Sequence, residues 1–318
     1  MKLLLRSHQS SAVEQLHNKL LNYNANEENI SIIESDDIAR TLVLQLIDSI
    51  RRVDYIEALK KRSISKSRLD PLNSAFDPLR AAIYYFNNDE IDEAAWLVFL
   101  FTHFGKNPDS GFRLCADIYG AYGERDIWSW NEISSNPMAF EQWYKSCYPK
   151  MISDGVVRKF GNHRKYESLK PNAARSLARV FNSYVSWVGS SHYAKFDEAK
   201  HLANKVEIDF FEFLYRSVQS VSSIGRTGAF DYLTMLSKIG IIDAVPKKLY
   251  LQGSTGPIQG TRLLYGVNQT MNWKNEVFEE KLSELGDALE LGKFKMQILE
   301  DALCNWQKNT SSYKYFRG

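Results

Sequence analysis

Eleven consecutive residues, Ala94–Phe104, contain no Asp, Glu, Lys or Arg. The run reads Ala94-Ala-Trp-Leu-Val-Phe-Leu-Phe-Thr-His-Phe104, with Asp92 and Glu93 before it and Gly105 after it. Acids suit a helix N-terminus and glycine suits its end, so the segment has the marks of one helix. A helix that is apolar on every side must be buried on every side. This one is about half the length of a membrane span. Other helices must therefore cover it, and a chain of 318 residues is long enough to supply them.

The rest of the chain offers suitable partners. In Asp36–Arg62, Leu42, Leu46, Ile50 and Val53 form a helical stripe, with Ser35 or Asp36 placed to cap it. Asp77-Pro78 opens another helix, with Pro in a tolerated first-turn position. Pro137–Tyr148, Asn172–Trp187, Phe196–Arg216, Phe230–Ile239, Pro246–Leu251, Ile258–Tyr265, Trp273–Leu291 and Phe294–Lys308 continue the series. A short piece around Val156–Lys159 is the one strand-like stretch. The expectation is an all-α helical bundle. The basic residues Lys60, Lys61, Arg62, Lys66 and Arg68 lead to Asp70-Pro71. That suggests a helical N-terminal extension over 1–68 and a helical core over 69–318.

Composition removes several classes of function. Global disorder is excluded, because 13% of the residues are aromatic and must find a core. Lys and Arg number 40 against 38 Asp and Glu, a net charge of +2. A purely electrostatic nucleic-acid binder is excluded, although a local basic face is not. Cys115, Cys147 and Cys304 lack paired or metal-binding spacing and read as reduced thiols. The six histidines show no metal-ligand spacing, and no nucleotide or nucleophile-elbow motif occurs. No metal and no cofactor are expected. The apolar stretch Leu3–Leu5 is too short for a secretion signal. A cytoplasmic protein without membrane segments is expected.

Four segments could carry chemistry. In Leu251–Gly260, a glycine-rich turn lies between two expected helices. Gly253 and Gly256 would permit positive φ, and Ser254, Thr255 and the amides after Pro257 would meet a phosphate. Arg262 follows on the outgoing helix. This is the design of a helix–hairpin–helix clamp on a DNA backbone, and equally that of an ordinary corner between helices. In Phe160–Leu169, Arg164 and Lys165 could neutralise phosphates, Tyr166 could stack on a base and His163 could donate a hydrogen bond. In Ile224–Leu233, Gly225 and Gly228 flank Arg226, and Asp231 is expected in the first helical turn, either supporting the helix end or as an active-site carboxylate. In Ile298–Lys308, Leu299, Leu303 and Trp306 form a stripe to be buried, while Glu300, Cys304 and Lys308 share another face. Cys304 reads as a small packing residue rather than a nucleophile.

Several of these segments together resemble one family. They are Phe76–Ile83, Asp92–Gly105 with Tyr119-Gly120 and Trp128-Ser-Trp130, His163–Leu169, Phe230-Asp-Tyr-Leu233, Gly253-Ser-Thr-Gly-Pro257 and Glu300-Asp-Ala-Leu-Cys304. The chain is similar over roughly 65–310 to the alpha-glutamyl/putrescinyl thymine pyrophosphorylases of clade 3. That resemblance implies a helical fold related to helix–hairpin–helix DNA glycosylases. It also implies a double-stranded phage DNA partner and, for bacterial members, antiviral excision of glucosylated hydroxymethylcytosine. The modified base would be flipped from the duplex, and a carboxylate would stabilise positive charge on the sugar. Enzymes of this group carry an Asp beyond the hairpin; the residue twenty positions after Gly256 is Glu276. This departure moves weight to Asp231 and Glu300, which lie in the matching segments. Trp128, Trp130 and Trp143 are expected to line the base pocket, although tryptophan is as often plain core. Two other readings stay open. One is a thymine-modifying transferase that displaces pyrophosphate, and the other is a non-catalytic module that binds modified DNA.

Overall fold

The computed structural model describes residues 7–26, 35–161 and 167–316; for 7–10 and 25–26 the backbone alone is described. Among the described residues there are fourteen α-helices and no strand, only an isolated bridge between Asn107 and Gly111. The fold is all-α, as the sequence predicts. The strand-like piece at Val156–Lys159 is irregular.

Two compact units form. One joins Met1–Ile56 to Val245–Arg317, and the other spans Glu57–Ala244. The first contains α1 (Ser7–Asn26), most of α2 (Asp36–Lys60), α12 (Gly256–Tyr265), α13 (Asn275–Ala288) and α14 (Lys295–Trp306). Its core places Val13, Leu16, Leu20, Leu42, Val43 and Leu46 in one cluster with Leu264, Phe278, Leu299, Leu303 and Trp306. The first two helices thus complete the core of the C-terminal helices. They do not stand apart as an extension over 1–68. Sequence order hides this, because the pairing joins the two ends of the chain.

The second unit is built around α4 (Ile91–Phe104), which contains the uncharged run Ala94–Phe104. Trp96 through Leu100 are wholly enclosed. The other helices of this unit are α3 (Pro78–Asn87), α5 (Arg113–Tyr119), α6 (Trp130–Ser135), α7 (Pro137–Ser153), α8 (Leu177–Val188), α9 (His192–Lys205), α10 (Phe210–Val218) and α11 (Arg226–Ile239), of which α3, α5, α6, α8, α9 and α11 meet α4 directly. Local chemistry sets the ends of these helices. Asp77 caps α3 by accepting from the amides of Leu79 and Arg80. Ser176 caps α8, which therefore starts at Leu177 rather than Asn172. The single helix expected over Phe196–Arg216 is two helices. Glu207 turns to φ +55, and Asp209 caps a new start by accepting from Glu212 N. Helix α7 runs through Pro149 to Ser153.

Pro246–Leu251, expected to be a helix, is irregular. Two backbone amides there, those of Leu249 and Leu251, donate instead to the carboxylate of Glu279 on α13. An acceptor from another helix satisfies the segment without helical bonds.

Candidate active site

The structure divides the expected site residues between the two units. Gly253, Ser254, Thr255, Gly256, Arg262, Glu276 and Glu300 lie in the first, while Arg226, Asp231, Trp128, Trp130 and Trp143 lie in the second. His163, Arg164, Lys165 and Tyr166 lie outside the described residues. The hairpin lacks its entering helix, because Pro246–Leu251 is not helical. Gly253 does take positive φ, +74, but Gly256 does not. A Cβ on Gly256 would lie 2.7 Å from the Cys304 sulfur, and one on Gly260 would lie 2.6 Å from the Leu303 carbonyl oxygen. These two glycines let α12 press onto α14, which explains them by helix packing. Asp231 is the sixth residue of α11, past the first turn in which it was expected. Glu276 is exposed in the first turn of α13. Glu300 is part-buried on α14.

Trp128 and Trp130 are nearly inaccessible, at 1% and 4% exposure. The Trp128 carbonyl accepts from Trp96 Nε1 at 2.9 Å, and its ring meets Phe140 and Trp143. The guanidinium of Arg125 lies 4.0 Å from the Trp128 ring centroid. Trp130 has a different position. Its amide donates to Glu93 Oε2 at 2.7 Å, and its ring lies 4.2 Å from that of His192.

Those contacts lead to a constellation at the N-terminal turn of α4, where two consecutive carboxylates have contrasting surroundings. Glu93 accepts from Tyr119 Oη at 2.6 Å and from Trp130 N. Burial outweighs these bonds and pushes its carboxyl up to about 7, helped by the nearby charges of Glu90 and Asp92. Asp92 points another way. Its Oδ1 accepts from the amide of His192, from the ring Nδ1 at 3.1 Å and from Ser191 Oγ at 3.3 Å. Burial opposes ionisation here too, but the bonds from His192 and Ser191 prevail and hold the carboxyl below its ordinary range. The other ring nitrogen, Nε2, lies 2.7 Å from Tyr184 Oη, which is 2.7 Å from Tyr232 Oη. His192, Tyr184 and Tyr232 are fully enclosed. Burial keeps His192 neutral by lowering its pKa and raises that of Tyr184 well above the phenol range.

One proton arrangement satisfies the whole chain. A neutral His192 that donates from Nδ1 to Asp92 must accept at Nε2. Tyr184 then donates to His192, and Tyr232 donates to Tyr184. All three donors point toward Asp92. Two chemistries are available side by side. Glu93 is a carboxyl held toward its neutral form, and Asp92 is a carboxylate whose resting form is ionised and able to accept a proton.

The resemblance segments contributed Asp92, Glu93, Tyr119, Trp130 and Tyr232 to this cluster, so its ingredients were visible in the sequence. Their convergence was not. Neither His192 nor Tyr184 carries a spacing signal in the sequence, because a lone His without a partner at ligand spacing has none. A buried His opening a helix directly after the cap Ser191 was the available hint. Among the described residues, no group of three or more His, Cys, Asp or Glu is arranged to hold a metal ion. No helix there is long and apolar enough to cross a membrane.

Fold and site define an all-helical protein with paired carboxylates at the edge of an aromatic core. The chain belongs to the alpha-glutamyl/putrescinyl thymine pyrophosphorylase clade 3 family, which it matches over residues 37–318. That is a family of enzymes tied by name to thymine hypermodification. No curated protein and no solved structure matches the chain.

Proposed function

We propose that this chain is an enzyme acting on the base of a hypermodified pyrimidine in DNA. Its reaction follows the family name: an amine such as glutamate or putrescine replaces pyrophosphate on the 5-methylene of a modified thymine. The observation that carries this reading is the family match over residues 37–318. The paired carboxylates agree with it chemically. Departure of pyrophosphate leaves a carbon short of electrons, which a fixed anion stabilises, and the incoming amine must shed a proton. In this reading Arg226 and Arg262 hold backbone phosphates. DNA as substrate implies work in the cytoplasm.

A second reading is excision of a bulky base, such as α-glucosyl-hydroxymethylcytosine, from phage DNA in antiviral defence. The exposed Gly253 turn favours it, because that turn leads into the N-terminal amides of α12 and presents donors to a DNA phosphate. Asp231 or, alternatively, Glu300 is then the carboxylate for the sugar.

The test is incubation of the protein with DNA carrying pyrophosphorylated hydroxymethyluracil, with and without amine, and with unmodified, hydroxymethylcytosine and α-glucosylated DNA. Amine-dependent pyrophosphate release is the expected result. Free base with alkali-labile sites would establish excision instead. Binding without any product would leave a modified-DNA-binding module and refute both enzymatic readings.

A further inference from the structure

We propose that Asp92 is the reacting carboxylate, and that His192, backed by Tyr184 and Tyr232, is a positioning residue that fixes its orientation and charge. This rests on the reading above and adds the residues that perform it.

Asp92 differs from its neighbour Glu93 in how its two oxygens are used. Every bond described for it falls on Oδ1: the His192 amide, His192 Nδ1 and Ser191 Oγ. Its Oδ2 has no partner among the described residues, and the side chain is 37% exposed. One oxygen is thus anchored and the other is open to an incoming molecule. Glu93 is the reverse case, with both oxygens occupied, by Tyr119 and Trp130. Asp92 also satisfies an orphan amide at the start of α9, but this needs only one hydrogen bond. Ser191 already caps that helix by accepting from Ala194 N. The ring contact and the two tyrosines behind it exceed what capping requires. Burying an imidazole and two phenols in an otherwise aromatic core is costly unless each is hydrogen-bonded. Here they are bonded in series and end on a carboxylate whose second oxygen has no partner among the described residues.

The step this supports is common to both substitution and excision. A nucleophile, the amine or water, forms a bond to the electron-poor carbon. The bond from that carbon to the leaving group breaks, and the leaving group departs with the electron pair. The proton shed by the nucleophile passes to Asp92 Oδ2. The donors from His192 keep Oδ1 in place while this occurs.

Steady-state kinetics on the substrate found above, with the intact chain, tests the assignment. Asp92→Asn keeps the shape and removes the charge. It should lower kcat by about 10²-fold or more with KM and DNA affinity unchanged. His192→Phe removes the ring donor and should lower kcat by less. His192→Gln, which can again donate to Oδ1, should recover part of that loss. Nitrogen-15 NMR should find His192 neutral with its proton on Nδ1. If Asp92→Asn does not fold, Asp92→Glu should show the same loss of kcat at constant KM. Unchanged kcat in a folded Asp92 variant, or an Nε2–H or charged His192, would overturn this inference and leave the functional reading intact. No turnover by the unaltered chain on any DNA would overturn both.

Discussion

Glu93 makes stability depend on pH in a direction opposite to that of most carboxylates. Its carboxyl moves from an ordinary 4.5 to about 7 in the folded chain, chiefly through burial. A rise of that size corresponds to about 3 kcal/mol of preference for the neutral form. The folded state binds the proton more tightly than the unfolded state. The stabilisation is therefore complete below pH 4.5 and is lost as pH rises through about 7. Glu93→Gln has no proton to lose and retains an acceptor for Tyr119 or Trp130. The stability of the variant relative to the unaltered chain should thus rise by up to about 3 kcal/mol between acid and pH 8. His192 has the opposite slope, since its lowered pKa makes stability fall on acidification, but both proteins share it and it cancels in the difference. Urea titrations at a series of pH values, followed by tryptophan fluorescence, would measure the effect. Five of the seven tryptophans (Trp96, Trp128, Trp130, Trp143 and Trp187) report on the unit that contains Glu93. A difference that stays constant with pH, or moves in favour of the unaltered chain as pH rises, would refute the reasoning.

Three further outcomes follow from the packing. Gly260→Ala places a methyl group 2.6 Å from the Leu303 carbonyl oxygen; parting α12 from α14 should cost about 2 kcal/mol, and an unchanged thermal midpoint would contradict that close crossing. Arg158, with its side chain 3% exposed, bridges Asp117 and Asp154; Arg158→Met should cost about 3 kcal/mol by leaving Asp117 buried beside the weaker Arg113 contact, and adding Asp117→Asn should recover part of it in a double-mutant cycle. Leu20 is fully enclosed in the shared core of the first unit; Leu20→Ala should cost about 3 kcal/mol, and a loss near zero by urea titration would mean that α1 is an appendage after all.

The sequence by itself determined whatever depends on neighbours along the chain. The uncharged run Ala94–Phe104 dictated a buried helix, because no helical face of it could tolerate water. Asp77-Pro78 marked the start of α3 through a cap that reaches two or three residues. Tertiary structure decided what depends on residues far apart. Leu249 and Leu251 could have continued a helix, but Glu279 offered their amides an acceptor from α13. Gly256 was legible as a flexible turn position, and only the approach of α14 shows that it and Gly260 make room for another helix. The site follows the same rule. Asp92 and Glu93 are neighbours of one residue type, and no local pattern separates their chemistry. Tyr119 and Trp130 enclose one, while His192, a hundred positions away, anchors the other. The protonation behaviour of a carboxyl depends on burial and on donors brought from other helices, and those are set only when the chain has folded.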